Sequence, residues 1–150
     1  MSQSKVHRKI VFNTALALKQ RHPKISLCID LQEFPGDPVP PIIGGYRPDI
    51  LAYFPPSYSD ILIAEAKTSS DIDRQHTFSQ IDAFLNYLGE VSSGIGTFVL
   101  AVDGYVADHA RMVLALTYRM RISSRLYISL FDGLDFWMLD PFGSPQWRLS

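Results

Sequence analysis

The chain of 150 residues is 47% apolar and 19% charged, a balance that suits one globular domain with a single sizeable core. Fourteen Lys and Arg against fifteen Asp and Glu leave a net charge of -1, which excludes a globally basic nucleic-acid binder. A lone cysteine, Cys28, excludes an internal disulfide, and the opening MSQSKVHRKIVFN has no uninterrupted apolar stretch, so a soluble, cytoplasmic protein without membrane association is expected.

From Lys5 to about Arg21, Val6, Ile10 and Ala17 recur at helical spacing and Pro23 follows as a stop, which predicts a first amphipathic helix. Ile25 to Phe34 is a β-rich run. Glu33 to Pro48 then holds five of the ten prolines and three of the nine glycines, so a long loop is expected there, of the kind that tends to carry function. Asp49–Phe54, the turn-forming PPSYS and Asp60–Lys67 read as a β-hairpin whose strands are apolar on both faces, as at the covered centre of a sheet. Helices should pack on it. Ser69, Ser70 and Asp71 are candidate N-caps of a second helix, with a stripe of Phe78, Ile81, Leu85 and Leu88 ending near Gly89. Gly96–Val102 is a short buried strand, Tyr105 to about Met120 a third helix, and RLYISL and LDFWML are two strands around the turn FDG. The predicted class is α/β: a single domain over residues 1–150 with a central mixed sheet flanked by helices.

Resolved by position, the charge is far from even. Residues 1–29 carry six basic groups and no acidic one, residues 30–108 three against twelve, residues 109–131 four against none, and the remainder one against three. The near-zero sum is thus two cationic segments offset by an acidic middle.

Buried hairpins rarely tolerate ionisable groups, yet this one has Asp49 at the start of one strand and Glu65 with Lys67 at the end of the other. If the turn is symmetric about Ser57, Asp49 lies opposite Glu65 with β-carbons about 4.5–5.5 Å apart. Lys67, two residues on, points to the same face. Two carboxylates so close repel unless one is protonated or a cation lies between them. Hard oxygen ligands without His or Cys suit Mg2+, with Mn2+ as a substitute, and Mg2+ commonly binds through one or two carboxylates together with substrate phosphate. A lysine at such a site can orient water, help remove its proton, or stabilise charge on phosphorus. No Gly-rich phosphate loop, cysteine-rich zinc site or Ser/His/Asp arrangement competes with this one.

Pro48-Asp49, fifteen intervening residues, then Glu65-Ala66-Lys67 resembles the PD-(D/E)XK nuclease superfamily. The helix, three strands, helix, strand order over about residues 5–102 resembles that family's restriction-endonuclease-like core, with a C-terminal helix and two strands added. The resemblance implies that Asp49 and Glu65 bind the metal, that the Ala66 carbonyl adds a ligand, that Lys67 serves the attacking water, and that the substrate is DNA, less often RNA. Two departures stand out. Residues 1–29 contain no acid where many members carry one on the first helix, and Asn13 is the expected substitute. Gln80 is a further candidate catalytic residue, but it precedes Phe84 where some members have a tyrosine.

Lys5, Arg8, Lys9 and Arg47 are candidate phosphate contacts, and the 111–125 segment a second grip on the backbone. The four histidines are scattered and none is assigned a role; Tyr127, Phe131, Phe136 and Trp137 are expected in the core or a subunit interface. Two functions follow as expectations. The first is a Mg2+-dependent phosphodiesterase, a DNA endonuclease acting as a homodimer or higher oligomer. The second is a catalytically inactive module on the nuclease scaffold that binds nucleic acid or a protein partner.

Overall fold

In a computed structural model, residues 4–31, 33–34, 36–140 and 146–150 are described. Helix α1 (Lys5–Arg21) opens with Ser4, whose hydroxyl accepts the His7 N–H at 3.1 Å, and closes with Lys19 and Arg21 at its negative pole. Its buried face runs through Ile10, Val11, Thr14 and Leu18, while Val6 is 46% exposed. Ile10 and Ala17 of the expected Val6–Ile10–Ala17 line are buried, but Val6 is not, and the inward stripe extends instead through Thr14 and Leu18. Asn13 falls off it, half-buried, and Thr14 takes the inward polar position by donating to the Ile10 carbonyl at 2.7 Å.

Strand β1 (Ser26–Ile29) is shorter than the β-rich run around it; the Asp30 N–H carries its register against β2 one step further by donating to the Asp49 carbonyl at 3.0 Å, and the chain then leaves for the Pro-rich loop. The Pro-rich loop that follows is long and irregular, as expected, with one isolated bridge between Ile43 and Tyr46. Gly44 at its tip has φ +58°, and a Cβ there would lie 2.8 Å from the Ala83 Cβ, so only glycine satisfies both the turn and the approach to the next helix.

Strands β2 (Ile50–Phe54) and β3 (Asp60–Ala66) form the predicted hairpin, running from Phe54↔Asp60 at the turn to Ile50↔Ala64. That register is symmetric about Ser57. Helix α2 (Gln75–Val91) begins later than the Ser69–Asp71 signals suggested. Thr68 and Asp71 close a turn of their own, Thr68 Oγ1 donating to Asp71 Oδ2 at 2.9 Å and Asp71 N to the Thr68 carbonyl at 3.0 Å, which spends the cap residues before the helix starts. Gly89 faces open solvent and does not end the helix.

Strand β4 (Gly96–Ala101) is followed by helix α3 (Ala107–Tyr118), which has single 3-10 turns at both ends, and by β5 (Leu126–Phe131) and β6 (Phe136–Leu139). A third C-terminal strand, β7 (Trp147–Leu149), pairs with β6; only two strands were expected here, because three half-exposed residues carry no readable alternation. The expected central mixed sheet flanked by helices is observed: one sheet of seven strands in the order of the chain, antiparallel except for β3–β4–β5. Helices α2 and α3 are the crossovers that parallel neighbours require.

The hairpin's two-faced apolarity is explained by two cores. Leu51, Ile61 and Ile63 face α2 and α3 together with Phe84, Phe98 and Leu114. Ile50, Ala52, Leu62 and Ala64 face α1 with Val11, Ala15 and Leu18. Each fully buried Leu, Ile or Phe contributes about 1.5–3 kcal/mol of transfer free energy, so both layers are held firmly on the sheet. Phe131 and Phe136 pack against each other at 4.5 Å between centroids, and Trp137 donates to Asp132 under the Arg111 guanidinium, so these aromatics are packing residues. Among the described residues, no helix is long and apolar enough to cross a membrane.

Candidate active site

The hairpin register carried one step beyond Ile50↔Ala64 brings Asp49 opposite Glu65. Side chains complete the pairing where the ladder stops. Asp49 N donates to Glu65 Oε1 at 3.1 Å, and Ala66 N donates to Asp49 Oδ2 at 2.8 Å. The two carboxyls are therefore clamped together by the main chain of each other's strands, at the carboxyl end of β3. Both are buried, 5% exposed for Asp49 and 3% for Glu65.

Lys67 follows on the same face of the strand. Its ammonium lies 3.5 Å from Glu65 Oε2 and donates to Gln80 Oε1, which α2 presents from its second turn. Both Lys67 and Gln80 are buried at 8% exposure. The site thus joins four of the residues expected from the sequence: Asp49, Glu65, Lys67 and Gln80. Burial, and after it the charge of Asp49, holds the Glu65 carboxyl well above its ordinary value; Lys67 and the Asp49 N–H pull in the other direction without prevailing.

A fifth residue was not foreseen. His7 Nε2 lies 3.1 Å from Asp49 Oδ2, and His7 Nδ1 is buried without a hydrogen-bond partner. The signal was present in the sequence: His7 precedes Ile10 by three, Val11 by four and Thr14 by seven, so it stands on the face that is buried. A face drawn through Val6 and Asn13 leaves His7 outside it.

No family model, curated protein or solved structure matches this chain. The residues themselves must therefore carry the functional argument.

The candidate phosphate contacts divide. Lys5, Arg8 and Lys9 border one groove of about 300 Å³ with Phe12 and Glu33, on the turns of α1 either side of His7, and Arg8 is ion-paired to Glu33. Arg47 instead ties the Pro-rich loop together by donating to the Pro40 carbonyl. In the 111–125 segment, Arg121 reaches Asp82 and Asn86 of α2, and Arg125 binds the carbonyls of Ser92, Ser93 and Gly94. Those two arginines tie the segment after α3 to α2 and the loop that follows it.

The donor chemistry fits a hard divalent ion. Two buried, mutually repelling carboxyls with the Ala66 main chain between them offer oxygen ligands and an unmet need for positive charge. Among the described residues, no three His, Cys, Asp or Glu side chains form a ready-made cage. An ion held here would draw its remaining ligands from water and substrate, as Mg2+ commonly does.

Proposed function

We propose that this chain is a metal-dependent nuclease of the PD-(D/E)XK type, acting as an endonuclease on DNA with Mg2+, or Mn2+ in its place. The observation that carries the reading is the buried Asp49–Glu65 pair, aligned by hairpin register with Lys67 on the same face. The element order helix, three strands, helix, strand supports it, with β2 antiparallel to both its neighbours and β3 and β4 parallel.

In this reading Asp49, Glu65 and the Ala66 carbonyl hold the ion. When bound, it neutralises the facing carboxylates and polarises a phosphate oxygen. Lys67, steadied by Gln80, orients the attacking water and faces the negative charge that develops on phosphorus. His7 and Ala66 N together fix Asp49 Oδ2, leaving the carboxylate one orientation. Lys5 and Lys9, exposed on the neighbouring turns of α1, meet the substrate backbone.

The test is cleavage of plasmid and oligonucleotide DNA in Mg2+ and in Mn2+. Asp49→Ala and Lys67→Ala should each abolish it while circular dichroism shows the fold retained; undiminished cleavage in both variants overturns the assignment. A second reading, a non-catalytic module that binds nucleic acid or a protein, is favoured by one observation: α1 brings no acid to the site, and its His7 occupies an Asp49 oxygen instead. Salt-sensitive DNA binding with no turnover in either metal would establish that reading, and metal-dependent turnover eliminates it.

A further inference from the structure

Helix α3 has a buried side and an outer side of unexpected character. Leu114, Ala110 and Tyr118 enter the core, whereas Tyr105, Met112, Leu116 and Met120 are 77%, 58%, 78% and 86% exposed. At 100° per residue these four lie along one line of the helix and its flanking turns, a ridge of about 22 Å at the helical rise. Monomers rarely leave a contiguous apolar strip of this kind to water.

The charges bordering the ridge are ordered. Asp108, which is ion-paired to Arg111 of its own chain and otherwise open to solvent, lies on one flank near the N-terminal end, and Arg119 lies on the same flank near the C-terminal end. The other flank carries His109, which faces Asp73 of its own chain at 3.6 Å. A two-fold axis perpendicular to the helix, level with the midpoint of Met112 and Leu116, keeps each flank on its own side while exchanging the ends. It therefore brings Asp108 of one copy level with Arg119 of the other, twice, and sets Met112 against Leu116. It also apposes opposite poles of the two helix dipoles. A parallel arrangement would put like ends together.

We propose that α3 is the interface between two copies of this chain, packed antiparallel through the Tyr105–Met120 ridge with Asp108–Arg119 pairs on its flank. The interface is isologous and closes at two subunits. It does not depend on the catalytic reading, since it uses none of the site residues.

Mass in solution tests it. At tens of micromolar, light scattering or sedimentation should give twice the 16.9 kDa chain mass. Leu116→Glu, at a position 78% exposed in the single chain, should give the single-chain mass with an unchanged circular dichroism spectrum. Asp108→Arg and Arg119→Asp should each raise the dissociation constant at least about fivefold, and the two together should bring it back to within about twofold of wild type. A wild-type chain that stays single throughout, a dimer mass that survives Leu116→Glu, or a double variant no tighter than either single one overturns the proposal.

Discussion

Replacing Lys67 with Met would expose how the buried site balances its charges in the metal-free chain. The ammonium lies 3.5 Å from Glu65 Oε2, where the attraction is about 5 kcal/mol at an effective dielectric near 20. Removing Lys67 also removes the cost of burying its own charge, so with Glu65 ionised the net loss is about 3–5 kcal/mol. For a chain of this size that is roughly 10 °C in Tm. The loss depends on pH in a definite direction. The Glu65 carboxyl is already held above its ordinary value of 4.5, and Lys67 is the charge that draws it down, so the variant raises it further. A carboxyl raised by folding keeps its proton in the native state when the unfolded chain has released it, so stability falls as pH climbs from 4.5 through the native value. In the variant this fall continues to higher pH. The Tm gap between wild type and Lys67→Met should therefore be small near pH 4.5 and widen toward pH 8. Thermal unfolding followed by circular dichroism in chelator checks this, with Glu65→Gln/Lys67→Met recovering more than half of the pH 8 loss. A gap independent of pH, or a double variant as unstable as Lys67→Met alone, refutes the reasoning.

Mg2+ or Mn2+ should raise the wild-type Tm, by an amount equivalent to about 2.7 kcal/mol at a hundred times the dissociation constant, and Asp49→Asn should remove the rise. His7→Ala leaves Asp49 Oδ2 with the Ala66 N–H alone, so metal affinity, read by calorimetry, should weaken about 10–100-fold while the apo Tm changes little. Gly44→Ala meets both a positive φ and the Ala83 Cβ, and should cost about 1–3 kcal/mol in denaturant unfolding; pairing it with Ala83→Gly should recover the contact part of the loss.

The hairpin and its paired carboxylates were legible because period-two arithmetic is unforgiving. Once two apolar strands flank a five-residue turn, the register fixes Asp49 against Glu65 and turns Lys67 to the same side. The first helix was legible in extent and not in rotation. Of the Val6, Ile10 and Ala17 line the last two are buried, and packing against Leu62 and Ala64 selects a face that also takes in Val11, Thr14 and Leu18 and leaves Val6 outside. That choice decided whether Asn13 or His7 met the site. The start of α2 was hidden for a different reason, since Ser, Thr and Asp close turns by the same hydrogen bonds with which they cap helices. Strand β7 rests on pairing with β6 and has almost no pattern of its own.

The spatial order of the strands repeats their order in the chain. Every strand after the first pairs with its immediate predecessor, so no partner has to be fetched from a distant part of the sequence, and each step closes a hairpin, the Pro-rich loop between β1 and β2, or one helical crossover. Such a sheet can grow edge by edge as the chain leaves the ribosome. In growth of that kind the hairpin that brings Asp49 to Glu65 would come early, because α2, which delivers Gln80 to Lys67, follows it in the chain. The carboxylates would then meet while the site is still open to water and protons, and the lower dielectric that sharpens their repulsion would arrive only when the later layers close over them.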